Sequence, residues 1–181
     1  MDKKNQNFDK KAIVLTGIMG SGKSTIGAKL AEKMGYYFID SDREIEDNLN
    51  MSISDIFAQK GEEYFREIER STVEKIILRD ENMVLSLGGG AFLDEKTRDL
   101  IAKKAISVWL YCDLEILLRR ISGNNRPLLN NVDRRKVLED LIKKRYPIYE
   151  QADIGLDTGS GNSSLVQDLF EKINIETQKN D

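Results

Sequence analysis

The sequence contains no histidine and one cysteine, Cys112, in 181 residues. Without histidine there is no Ser–His or Cys–His nucleophilic pair, no imidazole zinc ligand and no imidazole general base. A single cysteine excludes an internal disulfide and a cysteine-held metal cluster, and it fits a reducing cytoplasm. No apolar stretch approaches the ~20 residues that span a bilayer, so no membrane partner is expected. Positive charge is not in excess either. There are 28 Lys and Arg against 31 Asp and Glu, a net charge of −3, and the pI is near 5.3. That balance argues against nucleic acid as a partner. An anion site in such a chain must be built locally, by gathering arginines. Segment 1–11 is polar and lysine-rich, lacks an apolar core, and reads as a flexible leader rather than a signal peptide. What remains is 40% hydrophobic and 33% charged, an ordinary globular composition at single-domain length.

The strongest local signal is Gly17-Ile18-Met19-Gly20-Ser21-Gly22-Lys23-Ser24. It reads G-x-x-x-x-G-K-S, the phosphate-binding P-loop pattern. Before it, Ala12 to Thr16 is an apolar run suited to a buried strand. After it, Ile26, Leu30 and Met34 share a helical face, and Gly35 is placed to end the helix. A glycine-rich turn of this kind points its N–H groups inward, and the helix N-terminus adds partial positive charge. Lys23 would reach the β- and γ-phosphates of a nucleoside triphosphate, and Ser24 would offer its hydroxyl to Mg²⁺.

Strand and helix patterns alternate along the rest of the chain, which predicts an α/β domain with a parallel sheet. Segment 36–39 reads as a second strand ending at Asp40. Ser41 and Glu44 form an S-x-x-E capping box that starts a helix. Ser52 with Asp55 opens another helix, broken by Gly61, and a longer helix covers 62–78. Strands are expected at 83–87, 106–111 and 154–157, with helices over 94–103, 134–146 and from 165 onward. After Asp113 the stripe Leu114, Leu117, Leu118 and Ile121 marks a further helix. Pro127 lies in a Gly- and Asn-rich surface segment, Pro147 should stop the helix before it, and the tail from Thr177 should fray.

Phosphoryl transfer needs a carboxylate for Mg²⁺ besides Ser24. The third strand carries Ser86 where many P-loop proteins have aspartate, so Asp40 and Asp42 at the end of the second strand are the candidates. Asp40 suits the metal, and Asp42 can accept a hydrogen bond from an acceptor hydroxyl. Both also fit as carboxylates favoured at a helix start. Gly88-Gly89-Gly90 suggests a backbone that approaches a ligand closely, with a plain tight turn as the alternative. Arg145 continues the apolar stripe Val137, Leu138, Leu141 and Ile142, so it faces inward and requires an anionic partner. For Arg66, spacing alone favours a surface pair with Glu62. Arg126 is either a solvated loop residue or an internal arginine finger. Arg119 and Arg120 suit the C-terminal end of a helix.

Taken together these pieces resemble the shikimate kinase family. The matching residues are the loop from Gly17 to Thr25 and Phe38-Ile39-Asp40-Ser41-Asp42. Phe65-Arg66-Glu67-Ile68-Glu69 and Leu85-Ser86-Leu87-Gly88-Gly89-Gly90-Ala91 also match. So do Gly123-Asn124-Asn125-Arg126-Pro127-Leu128-Leu129 and Arg145-Tyr146-Pro147-Ile148-Tyr149. They occur in the family's order across 11–173. The resemblance implies a three-layer P-loop kinase fold with a five-stranded parallel sheet in the order 2-3-1-4-5. The expected domain covers 12–175, with a lid at about 122–135 and a frayed tail at 176–181. It implies Mg²⁺-dependent transfer of the ATP γ-phosphate to the 3-hydroxyl of shikimate by a cytoplasmic monomer. Gly20, Ser21, Gly22, Lys23, Ser24, Thr25, Arg120 and Arg126 would contact ATP, with Ser24 and Asp40 at the metal. Asp42, Arg66, Gly88, Gly89, Gly90 and Arg145 would bind shikimate, and Lys23, Asp42 and Arg126 would be catalytic. Two other readings remain open at this point. One is a kinase of another hydroxylated acid such as gluconate, and the other is a nucleotide-binding module without catalysis.

Overall fold

Ala12–Thr16 forms β1, and every one of its residues is buried. A strand buried on both faces belongs in the middle of a parallel sheet, and β1 lies there in a computed structural model that describes residues 12–79, 81–121, 133–161 and 164–180. β2 (Tyr37–Asp40), β3 (Met83–Ser86), β4 (Ala105–Tyr111) and β5 (Ile154–Asp157) complete an all-parallel sheet in the order β2-β3-β1-β4-β5. This is the order expected from the resemblance. The expected leader at 1–11, and 122–132 of the expected lid, lie outside the described residues.

Alternation along β1 sends its side chains into two cores. Ala12 and Val14 join Val73, Ile76, Ile101, Leu138 and Tyr149 on the face covered by α3 (Ile53–Ile77), α4 (Glu95–Lys104) and α6 (Arg134–Tyr149). Ile13 and Leu15 join Leu30, Leu169 and Ile173 on the face covered by α1 (Lys23–Met34) and α7 (Leu165–Asn180). α2 (Ser41–Leu49) packs on α3 through Ile45, Ile56 and Phe65, and α5 (Leu114–Ile121) follows β4.

Several local expectations hold. Ser52 caps α3 by accepting from Asp55 N, and Gly61 kinks that helix with φ 85°. The helix expected over 94–103 is α4, which Asp94 caps by accepting from Thr97 N.

Three expectations are corrected. The cap of α2 is Asp40, which accepts from Asp42 and Arg43 N–H groups. Ser41 is instead fully buried and accepts a hydrogen bond from Gly88 N at 2.9 Å. Pro147 does not stop α6, which runs on to Tyr149. The proline removes a single N–H near the helix end, and the burial of the Tyr149 ring outweighs that loss. The tail from Thr177 is helical to Asn180. Thr177 Oγ1 bonds back to Ile173 O at 2.9 Å, and Ile173 is a core residue.

α1 lies tight against the sheet at Gly27. A Cβ there would sit 2.6 Å from Phe38 Cε2 and 2.9 Å from Leu15 Cδ1. Gly27→Val should therefore destabilise the protein by about 2 kcal/mol, despite a small gain in helix propensity. Urea unfolding would register this as a lower midpoint at constant m-value, and an unchanged midpoint would contradict the tight packing.

Candidate active site

After Thr16 the chain turns sharply through 17–22. Gly20 and Gly22 have φ of 83° and 99°, values that residues with a side chain rarely adopt. The turn opens α1, whose N-cap Gly22 supplies no side chain and whose first turn holds no acidic residue. The N–H groups and positive end of this helix therefore meet no carboxylate from its own first turn, which suits a phosphate. Lys23 Nζ lies along the loop and donates to Gly17 O at 2.7 Å and Ile18 O at 3.2 Å. Ser24 and Thr25 are exposed at the start of α1.

Arg120 braces the cradle from α5. It donates to Gly20 O at 3.3 Å and to Thr158 O at 2.6 Å, while Thr158 Oγ1 donates to Ser21 O at 3.0 Å. Arg120 thus joins the loop through contacts to the backbone.

The carboxylate that β3 lacks at Ser86 comes from the strand beside it. Asp40 pairs in register with Ser86, and its Oδ2 accepts from Ser24 Oγ at 3.3 Å. A hydroxyl and a carboxylate oxygen side by side are hard donors of the kind Mg²⁺ prefers. Among the described residues, no group of three or more His, Cys, Asp or Glu is placed to hold a metal. A magnesium ion at Ser24 and Asp40 would complete its shell with water or phosphate oxygens, its usual habit.

Across from the cradle, the three glycines at 88–90 meet three side chains. A Cβ on Gly88 would overlap Asp42 Oδ1, one on Gly89 would lie 2.9 Å from Arg145 Nη1, and one on Gly90 would overlap Arg66 Nη1. The close approach expected of this turn is therefore to the protein's own charged groups. Arg145, half-buried, donates to Gly89 O at 2.7 Å. Its inward-facing demand for an anion is met in part by a carbonyl.

Arg66 pairs with Glu62 at 3.2 Å, as spacing suggests, and more closely with Glu69 at 2.7 Å. The Glu69 side chain is only 4% exposed. Burial raises its pKa, against the pull of Arg66. Sequence reasoning assigned Glu69 no role, yet a signal was present. Phe65, Glu69, Val73 and Ile76 form one helical stripe, and a glutamate in an apolar stripe is a buried charge.

Asp42 stands between the two halves. Its Oδ1 is buried and has no hydrogen-bond partner among the described residues. Burial pushes its pKa up to about 6, with the Asp40 and Glu69 charges adding to the rise and Lys23 opposing it. Lys23, Ser24, Asp40, Asp42, Arg66, the three glycines and Arg145 thus converge on one region, while Arg126 lies outside the described residues.

A glycine-rich phosphate cradle with an unsatisfied carboxylate and two arginines beside a triple-glycine turn defines a P-loop small-molecule kinase. Comparison with known proteins narrows the class. Residues 19–174 match the family model described as shikimate kinase. A shikimate kinase of Caulobacter vibrioides is 47% identical over 150 residues, which covers 82% of this chain and 74% of that one. The structure of a shikimate kinase from Acinetobacter baumannii in complex with shikimate superposes with a TM-score of 0.82 at 37% identity, covering 94% of each chain. A gluconokinase from Sinorhizobium meliloti shares the fold at a TM-score of 0.55 and 18% identity, covering 96% of this chain and 94% of that one. The chain belongs to the shikimate kinase family.

The raised pKa of Asp42 has two consequences. An ionised carboxylate accepts a hydrogen bond from a hydroxyl more strongly than the neutral acid does. With Asp42 as the proposed partner of the acceptor hydroxyl, kcat/KM for the acceptor should therefore fall on the acid side with an apparent pKa of about 6. The folded-state value lies above the unfolded one, so ionisation of Asp42 weakens the fold as pH rises through about 6. Asp42→Asn should then raise stability at pH 8 by about 2 kcal/mol, or roughly 5 °C in Tm, and change little at pH 4. An equal Tm for variant and wild type at both pH values would contradict this.

Proposed function

We propose that the chain is a shikimate kinase that transfers the γ-phosphate of ATP to the 3-hydroxyl of shikimate, giving shikimate 3-phosphate and ADP on the route to chorismate and the aromatic amino acids. The observation that carries the reading is the buried, unpartnered Asp42 Oδ1 lying between a phosphate cradle and Arg66 with Arg145. In this reading the 17–24 loop holds the triphosphate, with Gly20, Ser21, Gly22 and Thr25 supplying backbone or hydroxyl contacts. Lys23 shifts from the loop carbonyls to the β- and γ-phosphates. Arg120 lies on the adenine side, and Arg126 adds charge at the transferred group. Ser24 and Asp40 would hold Mg²⁺, which would supply charge neutralisation at the phosphate oxygens.

The shikimate carboxylate pairs with Arg66 and Arg145 beside Gly88, Gly89 and Gly90, and the 3-hydroxyl donates to Asp42. The hydroxyl oxygen attacks the γ-phosphorus, the bond from that phosphorus to the β–γ bridging oxygen breaks, ADP leaves, and the hydroxyl proton passes along its hydrogen bond to Asp42 and on to solvent. A loose transition state asks the protein mainly for position and charge, which these side chains supply. Hydroxyl recognition by a buried carboxylate can reject an analogue lacking the group by about 10⁴-fold. We propose further that the enzyme is a cytoplasmic monomer; its single cysteine, free and buried, supports a reducing compartment.

ATP-dependent phosphorylation measured with shikimate and gluconate side by side should show turnover of shikimate alone. No turnover of shikimate would sink the reading. Lys23→Ala should lower kcat by at least about 10²-fold with the fold retained. Arg145→Ala should raise the shikimate KM by about 10²-fold and leave the ATP KM within about twofold. A selective loss of ATP affinity in that variant would reassign Arg145.

A further inference from the structure

The Gly89 carbonyl receives two hydrogen bonds from one helix. Arg145 Nη1 donates to it at 2.7 Å and the Tyr149 hydroxyl at 2.5 Å. The donors are four residues apart on α6 and so share a face one turn apart. A carbonyl oxygen has two lone pairs, and these donors fill both. No peptide bond among the described residues is cis. Pinning the Gly89 carbonyl toward α6 therefore turns the Gly90 N–H the opposite way. Three consecutive glycines have no side chains of their own to define that plane. Tyr149 itself is well fixed. It is fully buried, its ring meets Phe92 edge-on at 6.3 Å, and it lies 6.5 Å from the Tyr146 ring.

We propose that Tyr149 is a positioning residue for acceptor recognition, acting through the Gly89 carbonyl that it shares with Arg145. The hydroxyl occupies the second lone pair and itself lies against the Arg145 guanidinium, so on this side Arg145 is committed to the backbone and the phenol, and its other N–H groups stay aimed at a carboxylate. Without the hydroxyl, the fork can turn a second N–H toward Gly89 O and move away from the acceptor. The turn would also lose the contact that sets its plane. A bidentate grip on a carboxylate depends on the angle of the fork, so a small rotation weakens it. This inference rests on the proposed role of Arg145 as a ligand of the acceptor carboxylate.

Tyr149→Phe tests it, because it keeps the ring and its packing and removes only the hydroxyl. The shikimate KM, and the Kd from calorimetry, should rise about fivefold to tenfold, while kcat and the ATP KM stay within about twofold. In an Arg145→Lys background, where no fork remains to be misplaced, the same change should shift the shikimate KM less than about twofold. An unchanged shikimate KM in Tyr149→Phe overturns the inference. So does the full effect persisting beside Arg145→Lys. A joint loss of ATP and shikimate affinity with a lower Tm makes Tyr149 a structural residue and also overturns it. Wild-type turnover of shikimate, measured in the same assay, separates the two levels. If the wild type is inactive, the functional reading fails and takes this inference with it. If the wild type is active and Tyr149→Phe is unaffected, only this inference fails.

Discussion

Three side chains from three helices occupy the space where residues 88–90 have none. Asp42 comes from α2, Arg66 from α3 and Arg145 from α6, and each approaches a different glycine. This steric constraint ties the acceptor side together. The turn follows β3, which is hydrogen-bonded to β1 and thereby to the cradle at its end. Gly88 is held by Ser41, the residue between the two aspartates of β2 and α2. A side chain at any of the three positions would displace a charged group from the site. The geometry of recognition is therefore set by absent volume as much as by the charges.

Charge is gathered here against its own repulsion. Asp40, Asp42 and the buried Glu69 lie close enough for the first and third to raise the pKa of Asp42. Glu69 is offset by Arg66 at 2.7 Å. An unpaired buried glutamate would be costly, and the same contact restricts where the guanidinium can point. Arg145 is restrained differently, by a neutral carbonyl. One arginine is thus held by a carboxylate and the other by the backbone. Their remaining donors can meet a small anion without either side chain searching its rotamers, which limits the entropy lost on binding.

The parts of the molecule that were legible in the sequence are those whose physics is local. The P-loop is one continuous stretch whose strand, turn and helix all follow from its own residues. The Ser52 cap and the Gly61 kink are local too. The order of the five strands was not readable from periodicity, and it came with the resemblance. Ser41 shows why local rules fail at this site. S-x-x-E fits a capping box, but Asp40 one residue earlier caps equally well, and the Gly88 N–H, 47 residues away, required the hydroxyl. Arg66 was legible only in part. Its pair with Glu62 follows from helical spacing, whereas the closer pair with Glu69 depends on the burial of that face. Pro147 misled for the same reason, since its cost is local and the burial of Tyr149 is not.

The absence of histidine becomes intelligible at Asp42. Imidazole is the usual choice near neutrality because its unperturbed pKa lies there. Burial and three neighbouring carboxylates, Asp40, Glu69 and Glu46, bring an aspartate to about 6, close to that range. In the proposed reaction little proton transfer is needed before the bond to the leaving group has largely broken, because the transition state is loose. The task is to orient a hydroxyl, and a carboxylate oxygen with no competing donor does so without a proton of its own to place. An unsatisfied buried carboxylate costs stability, and in the proposed reaction that cost is recovered when the acceptor hydroxyl binds. This is how a site comes to distinguish its acceptor from an analogue of the same shape that lacks the group.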